Sequence, residues 1–177
     1  MKDLHNHILP GLDDGCKSEE ESLKMLNDLI NSGINEVVFT PHYVYGTKYT
    51  ANNKKKKEAF LKLKKVIEKN KLPIKVYLGN EILFCDNILE LLANDEILPI
   101  NNSKNLLIEF PMMNLPHNAK NVFDELISAG YNVILAHPER YYFVREDINI
   151  LNDFVSMGVQ LQGNYKSLFG KYGRTSK

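Results

Sequence analysis

The sequence predicts an α/β fold built on parallel strands, and three observations predict it. Short β-branched, apolar runs alternate along the chain with amphipathic helical stretches, the rhythm of βα units that lay helices over a parallel sheet. Nearly every such run ends in a side chain able to bind metal. No GxxxxGKS loop or GxGxxG turn is present, which counts against a nucleotide-binding open sheet. Right-handed crossovers leave two options, an open doubly wound sheet or a barrel. Functional groups of βα barrels gather where strands end, so the strand-end residues favour the barrel.

The elements follow in order. A first strand covers Asp3 to His7, and Ser18 with Glu21 reads as a capping box that starts a helix. Leu23, Leu26 and Ile30 give that helix an apolar stripe, and Gly33 suits its left-handed closing position. Glu36 to Thr40 is the second strand. A second helix runs from about Asn53 to Asn70, with Phe60, Leu63 and Ile67 facing inward. Ile74 to Gly79, Leu106 to Phe110, Val133 to Ala136 and Val159 to Gln162 complete about six strands. Helices over Asn87 to Ala93, Ala119 to Ala129 and Asp147 to Met157 separate the later ones, with Gly130 and Gly158 as stops. There is no internal repeat or low-complexity linker, and 177 residues suit one domain over 1–177.

Composition narrows the function. The 44% apolar and 25% charged residues are ordinary for a soluble globular protein. Lys plus Arg equals Asp plus Glu at 22 each, so no global field argues for nucleic acid or a membrane surface. The lysine-rich stretch from Lys54 to Lys71 reads as a solvated helix face before it reads as a docking patch. Cys16 and Cys85 are too few for a disulfide framework or a cysteine zinc site, which suggests reduced thiols. With no membrane-length apolar run and no signal-like N-terminus, the expectation is a cytoplasmic protein without membrane insertion.

The strand ends carry the chemistry. His5 and His7 lie two apart, so on a strand they share a face and can share an ion. The second strand leads into Thr40-Pro41-His42, the third into Gly79-Asn80-Glu81, the fourth into Ile108-Glu109-Phe110 and the fifth into Ala136-His137-Pro138. Imidazoles mixed with carboxylates suit Zn, Mn or Fe, and bridging carboxylates favour more than one ion. Glu109 sits in a very apolar run where an unpaired carboxylate would be costly, which strengthens its case as a ligand. Asp13 reads as a turn-shaping partner of Gly15, with Asp14 as the candidate ligand, and His117 as an ordinary hydrogen-bonding residue.

These segments resemble a known family. Asp3-Leu4-His5-Asn6-His7 through Asp13-Asp14-Gly15 is similar to the opening of the polymerase-and-histidinol-phosphatase (PHP) superfamily. With Ala136-His137-Pro138-Glu139-Arg140-Tyr141, it looks most like the bacterial tyrosine-protein phosphatases of capsule and exopolysaccharide synthesis. The resemblance implies a distorted (β/α)7 TIM-like PHP barrel around more than one divalent cation, Mn first, with Fe, Zn or Mg as alternatives. It implies His5, His7, Asp14, His42, Glu81, Glu109 and His137 as metal ligands, Glu81 as the bridge, and Arg140 as the catalytic group binding the substrate phosphate. The implied reaction is hydrolysis of phosphotyrosine on a protein, in particular the tail of a bacterial tyrosine kinase. A homo-oligomer is left open.

The family also supplies an Asp-x-His pair and a second Arg from one more strand. The chain ends at Lys177 in what reads as a loop-to-helix transition, so the last strand-helix portion is expected to be missing. Two alternatives follow: a small-molecule phosphatase resembling histidinol-phosphate phosphatase, and an inactive truncated remnant or scaffold.

Overall fold

The structure, a computed structural model, describes residues 1–170 and Gly173. The remainder of the expected loop-to-helix transition lies outside the described residues. The chain divides into two compact units, Met1–Glu81 with Leu91–Ser103, and Ile82–Glu90 with the chain from Lys104 onward.

The first unit contains β1 (Lys2–Asn6), α1 (Glu19–Asn31), β2 (Glu36–Phe39), β3 (His42–Tyr43), α2 (Asn53–Lys69) and β4 (Lys75–Leu78). Strands β1, β2 and β4 pair in parallel in that order, with Val37 opposite both Asp3 and Val76. Ser18 caps α1 as expected, its Oγ accepting the Glu21 N–H, while Glu21 reaches one residue further back to the Lys17 N–H. Leu26 of α1 and Leu63 and Ile67 of α2 are buried against Ile8, Leu9, Val37 and Phe39. Leu29 packs beside them, whereas Leu23 and Ile30, two members of the anticipated stripe, remain part-exposed.

The second strand and the third are shorter than expected. They stop at Phe39 and Leu78, and the metal-competent residues His42 and Glu81 open separate short strands. Pro41 explains the break, because it has no N–H to continue a ladder. Its carbonyl instead accepts the Glu81 N–H at 3.3 Å and the Asn80 Nδ2–H at 2.9 Å.

The second unit begins in β5 (Glu81–Leu83), whose first residue belongs to the first unit, and α3 (Ile88–Ala93), whose residues from Leu91 onward belong to the first unit. It continues with β6 (Asn105–Glu109), α4 (Ala119–Ser128), β7 (Asn132–Ala136), α5 (Tyr142–Glu146), α6 (Ile150–Ser156), β8 (Gln160–Gln162) and α7 (Tyr165–Leu168). Strands β5, β6, β7 and β8 follow one another in that order, and β6–β7–β8 are parallel. The core here is aromatic: Phe110 stacks on Phe123 at 5.4 Å, and Phe84 and Phe154 pack edgewise or tilted against both. The helix expected from Asp147 starts three residues later because the Asp147 carboxylate accepts the Asn149 N–H and forms a turn instead. No helix among the described residues is long and apolar enough to cross a membrane.

Candidate metal centre

Three imidazoles of the first unit converge on one carboxylate. His5 Nε2 is 3.0 Å from Glu81 Oε1, while His7 Nε2 and His42 Nδ1 each lie 3.1 Å from Glu81 Oε2. Glu81 is 1% exposed, so this carboxylate has given up nearly all its water. The β1 strand presents His5, the backbone just past it presents His7, and the Pro41 break turns His42 and Glu81 toward them. The rings of His7 and His42 lie 4.4 Å apart.

Asp13 and Gly15 explain how His7 is held. A Cβ on Gly15 would meet the His7 carbonyl oxygen at 2.0 Å, so only glycine allows this chain to lie against His7. The buried Asp13 carboxylate accepts the Gly15 N–H at 2.9 Å, the turn-shaping role read from the sequence. It also accepts the His42 N–H at 2.9 Å and stands 2.7 Å from His7 Nδ1. Sequence reasoning misses this second role, whose signal is the neighbouring pair of acids in Asp13-Asp14-Gly15. Asp14, largely exposed, lies 3.6 Å from His42 Nε2.

The donor set fits a cation. His7 Nδ1 faces the acceptor Asp13, so a neutral His7 carries its proton there and points the Nε2 lone pair at Glu81. A lone pair facing a carboxylate at this distance calls for a positive charge between them, a proton or a metal ion. Burial disfavours the charged imidazole, but hydrogen bonds to Asp13 and Glu81 outweigh it and push His7 up to about 10. Burial likewise pushes Asp13 up, and His7 and the His42 and Gly15 amides more than reverse it, leaving the carboxyl below its ordinary value. Ligand atoms of His5, His7 and Glu81, and of His7, Asp14 and His42, lie within 4.8 Å of one another.

The second unit places Glu109 and His137 at neighbouring strand ends, with His137 Nε2 3.6 Å from Glu109 Oε2 and both side chains buried. His137 has φ +33°, a left-handed conformation that non-glycine residues rarely adopt and that marks a constrained position. Its N–H donates to Gln162 O. The Tyr141 hydroxyl secures both strand ends, donating to Ala136 O at 2.6 Å and accepting the Phe110 N–H at 2.8 Å. Arg140 is half-buried on the intervening 3₁₀ turn Pro138–Arg140. Glu139 is a structural acceptor, binding the Asn164 N–H and the Ser167 hydroxyl. His117 is exposed.

A family model described as capsular polysaccharide synthesis, CpsB/CapC, matches residues 1–177. The chain is 37% identical to CapC of Staphylococcus aureus over 173 residues, 98% of this chain and 68% of the relative. It is 34% identical to the tyrosine-protein phosphatase YwqE of Bacillus subtilis over 177 residues, 100% of this chain and 69% of the relative. Among solved structures, a chain from the crystal structures of YwqE from Bacillus subtilis and CpsB from Streptococcus pneumoniae, metal-dependent tyrosine phosphatases, matches with TM-score 0.95 and 34% identity. That match covers 100% of this chain and 71% of the other.

Proposed function

This chain belongs to the CpsB/CapC family of capsular polysaccharide synthesis, and on that premise we propose that it is a metal-dependent protein-tyrosine phosphatase. The observation that carries the reading is the convergence of His5, His7 and His42 on the buried Glu81 carboxylate. On this reading those four residues and Asp14 hold divalent cations, Mn first, with Glu81 as the bridge. Glu109 and His137 are further ligands and Arg140 holds the substrate phosphate; these three assignments rest on the family's motif. The strands then belong to the distorted PHP barrel of that superfamily, and residues 1–177 fall within a single PHP-type domain. The substrate is a phosphotyrosyl protein, a bacterial tyrosine kinase tail, met in the cytoplasm, a compartment that suits the free thiols of Cys16 and Cys85.

Divalent cations held by these residues would supply Lewis acidity, offsetting charge on the phosphoryl oxygens and lowering the pKa of a water toward about 7. The chain's own residues prepare that chemistry. Asp13 keeps the His7 proton on Nδ1 and leaves Nε2 free to coordinate. Glu81, stripped of water, offers one oxygen to His5 and the other to His7 and His42, the spread a bridging carboxylate needs. Arg140, with its planar and always-charged fork, binds the phosphate oxygens and offsets their charge.

The test is turnover of a phosphotyrosyl peptide by the full chain with Mn, after EDTA, and after Mn is restored. The expected result is activity that disappears with chelation and returns with metal. Chelator-resistant turnover overturns the metal mechanism, and preferential turnover of histidinol phosphate overturns the protein substrate.

A further inference from the structure

Lys56 does not behave as its neighbours do. In the lysine run that the sequence presents as a solvated face, Lys54, Lys55 and Lys57 are exposed, and Lys56 is 0% exposed. Two effects oppose that position. A cation in the first turn of a helix meets the positive end of the helix dipole. Burial also pushes the amine down to about 7, with Lys57 reinforcing the shift and Asp95 and Glu96 opposing it. Its contacts are specific: Nζ donates to Asn80 Oδ1 at 2.8 Å and to Glu96 O at 3.2 Å, and sits 5.2 Å from the centre of the Tyr43 ring.

Those partners are next in sequence to the two residues that complete the carboxylate cluster. Tyr43 follows His42, and Asn80 precedes Glu81. Asn80 is fully buried and its amide has one arrangement open to it. Oδ1 accepts from both Lys56 Nζ and the Leu98 N–H, so Nδ2 is directed at Pro41 O, which it reaches at 2.9 Å. That bond staples the backbone before His42 to the backbone before Glu81. The Glu81 N–H donates to the same Pro41 oxygen.

We infer that Lys56 is a positioning residue of the metal centre, fixing the Asn80 amide and with it the spacing of His42 and Glu81. This rests on the metal-phosphatase reading above, since the quantity Lys56 controls is the fit of the ligands to a cation. A lysine retained only for packing would affect stability and leave metal affinity alone. Positioning residues behind metal ligands typically contribute 10- to 100-fold in affinity.

The experiment is Mn binding by calorimetry to the full chain and to the variants Lys56→Met, Asn80→Ala and the double variant, with thermal unfolding of each metal-free protein alongside. Met keeps the length and apolar stem of Lys56 and removes its donors. The expected result is a loss of about tenfold or more in Mn affinity for each single variant, with the double variant little worse than either, because both cut one link. Lys56→Met binding Mn as the wild type does, whatever its melting temperature, overturns the inference. Additive losses in the double variant overturn it too. Where Lys56→Met fails to fold, wild-type Mn affinity in Asn80→Ala overturns it equally. Failure of the unmodified chain to bind Mn is a separate outcome, which overturns the metal-phosphatase reading itself.

Discussion

His7 Nδ1 lies 2.7 Å from Asp13 Oδ2, and this one contact decides which nitrogen of a neutral His7 is left with a lone pair toward Glu81. Asp13 is buried and bound at both oxygens, Oδ1 by the Gly15 amide and Oδ2 by the His42 amide and His7. It can neither swing away nor share the ring with water.

Replacing Asp13 with Asn tests this. An amide can still accept the Gly15 N–H, but its NH2 group then faces His7 Nδ1, favouring the tautomer protonated at Nε2, and takes the acceptor from the His42 N–H. The coordinating lone pair is lost while the shape of the side chain is kept. Mn affinity measured by calorimetry is expected to fall about 10- to 100-fold. Wild-type affinity in Asp13→Asn shows that His7 is oriented by something else.

Most of this is legible in the sequence, and where it is not the reasons are physical. Six strands fall within a residue or two of their expected places, most of them because a short apolar run between helical stretches has few other readings. Strands β3 and β5 cannot be foreseen, since two or three residues are too short to show a period. Their candidate ligands, His42 and Glu81, are found through strand-end placement, although the strands in question end earlier and Pro41 makes the break. Lys56 escapes for a different cause. A charge run averages it with its neighbours, yet Asn53, Lys56, Phe60, Leu63 and Ile67 share one helical stripe, and the inward phase of the last three is plain from their spacing. Tyr141 stands out only as part of a motif, because nothing in a sequence says that a hydroxyl will join the ends of two strands.

That hydroxyl is open to a direct test. It is fully buried, donates to Ala136 O and accepts the Phe110 N–H. Tyr141→Phe keeps the ring among Phe110 and Phe143 and leaves a buried carbonyl and a buried amide without that partner. Each such loss costs about 1–3 kcal/mol. Urea unfolding is expected to show Tyr141→Phe destabilised by about 2 kcal/mol or more with an unchanged denaturant slope. A variant as stable as the parent shows that both strand ends are satisfied without the hydroxyl.

In the metal-free chain, Lys56 and His7 pull stability in opposite directions as pH changes. Burial holds Lys56 at about 7 against an ordinary value of 10.5. Between those values the unfolded chain binds the proton and the folded chain does not, so this group makes stability rise with pH. His7 is raised from 6.5 to about 10, because its hydrogen bonds to Asp13 and Glu81 outweigh the cost of burial. Its contribution is fully present below 6.5 and is lost as pH rises through about 10. The two windows overlap almost completely, so their slopes largely cancel in the unmodified protein. Lys56→Met removes the rising term and leaves the falling one. Urea unfolding in EDTA at pH 7, 8 and 9 is therefore expected to show Lys56→Met losing stability with pH more steeply than its parent. Parallel pH profiles for the two proteins would mean that Lys56 keeps its proton in the folded chain throughout this range.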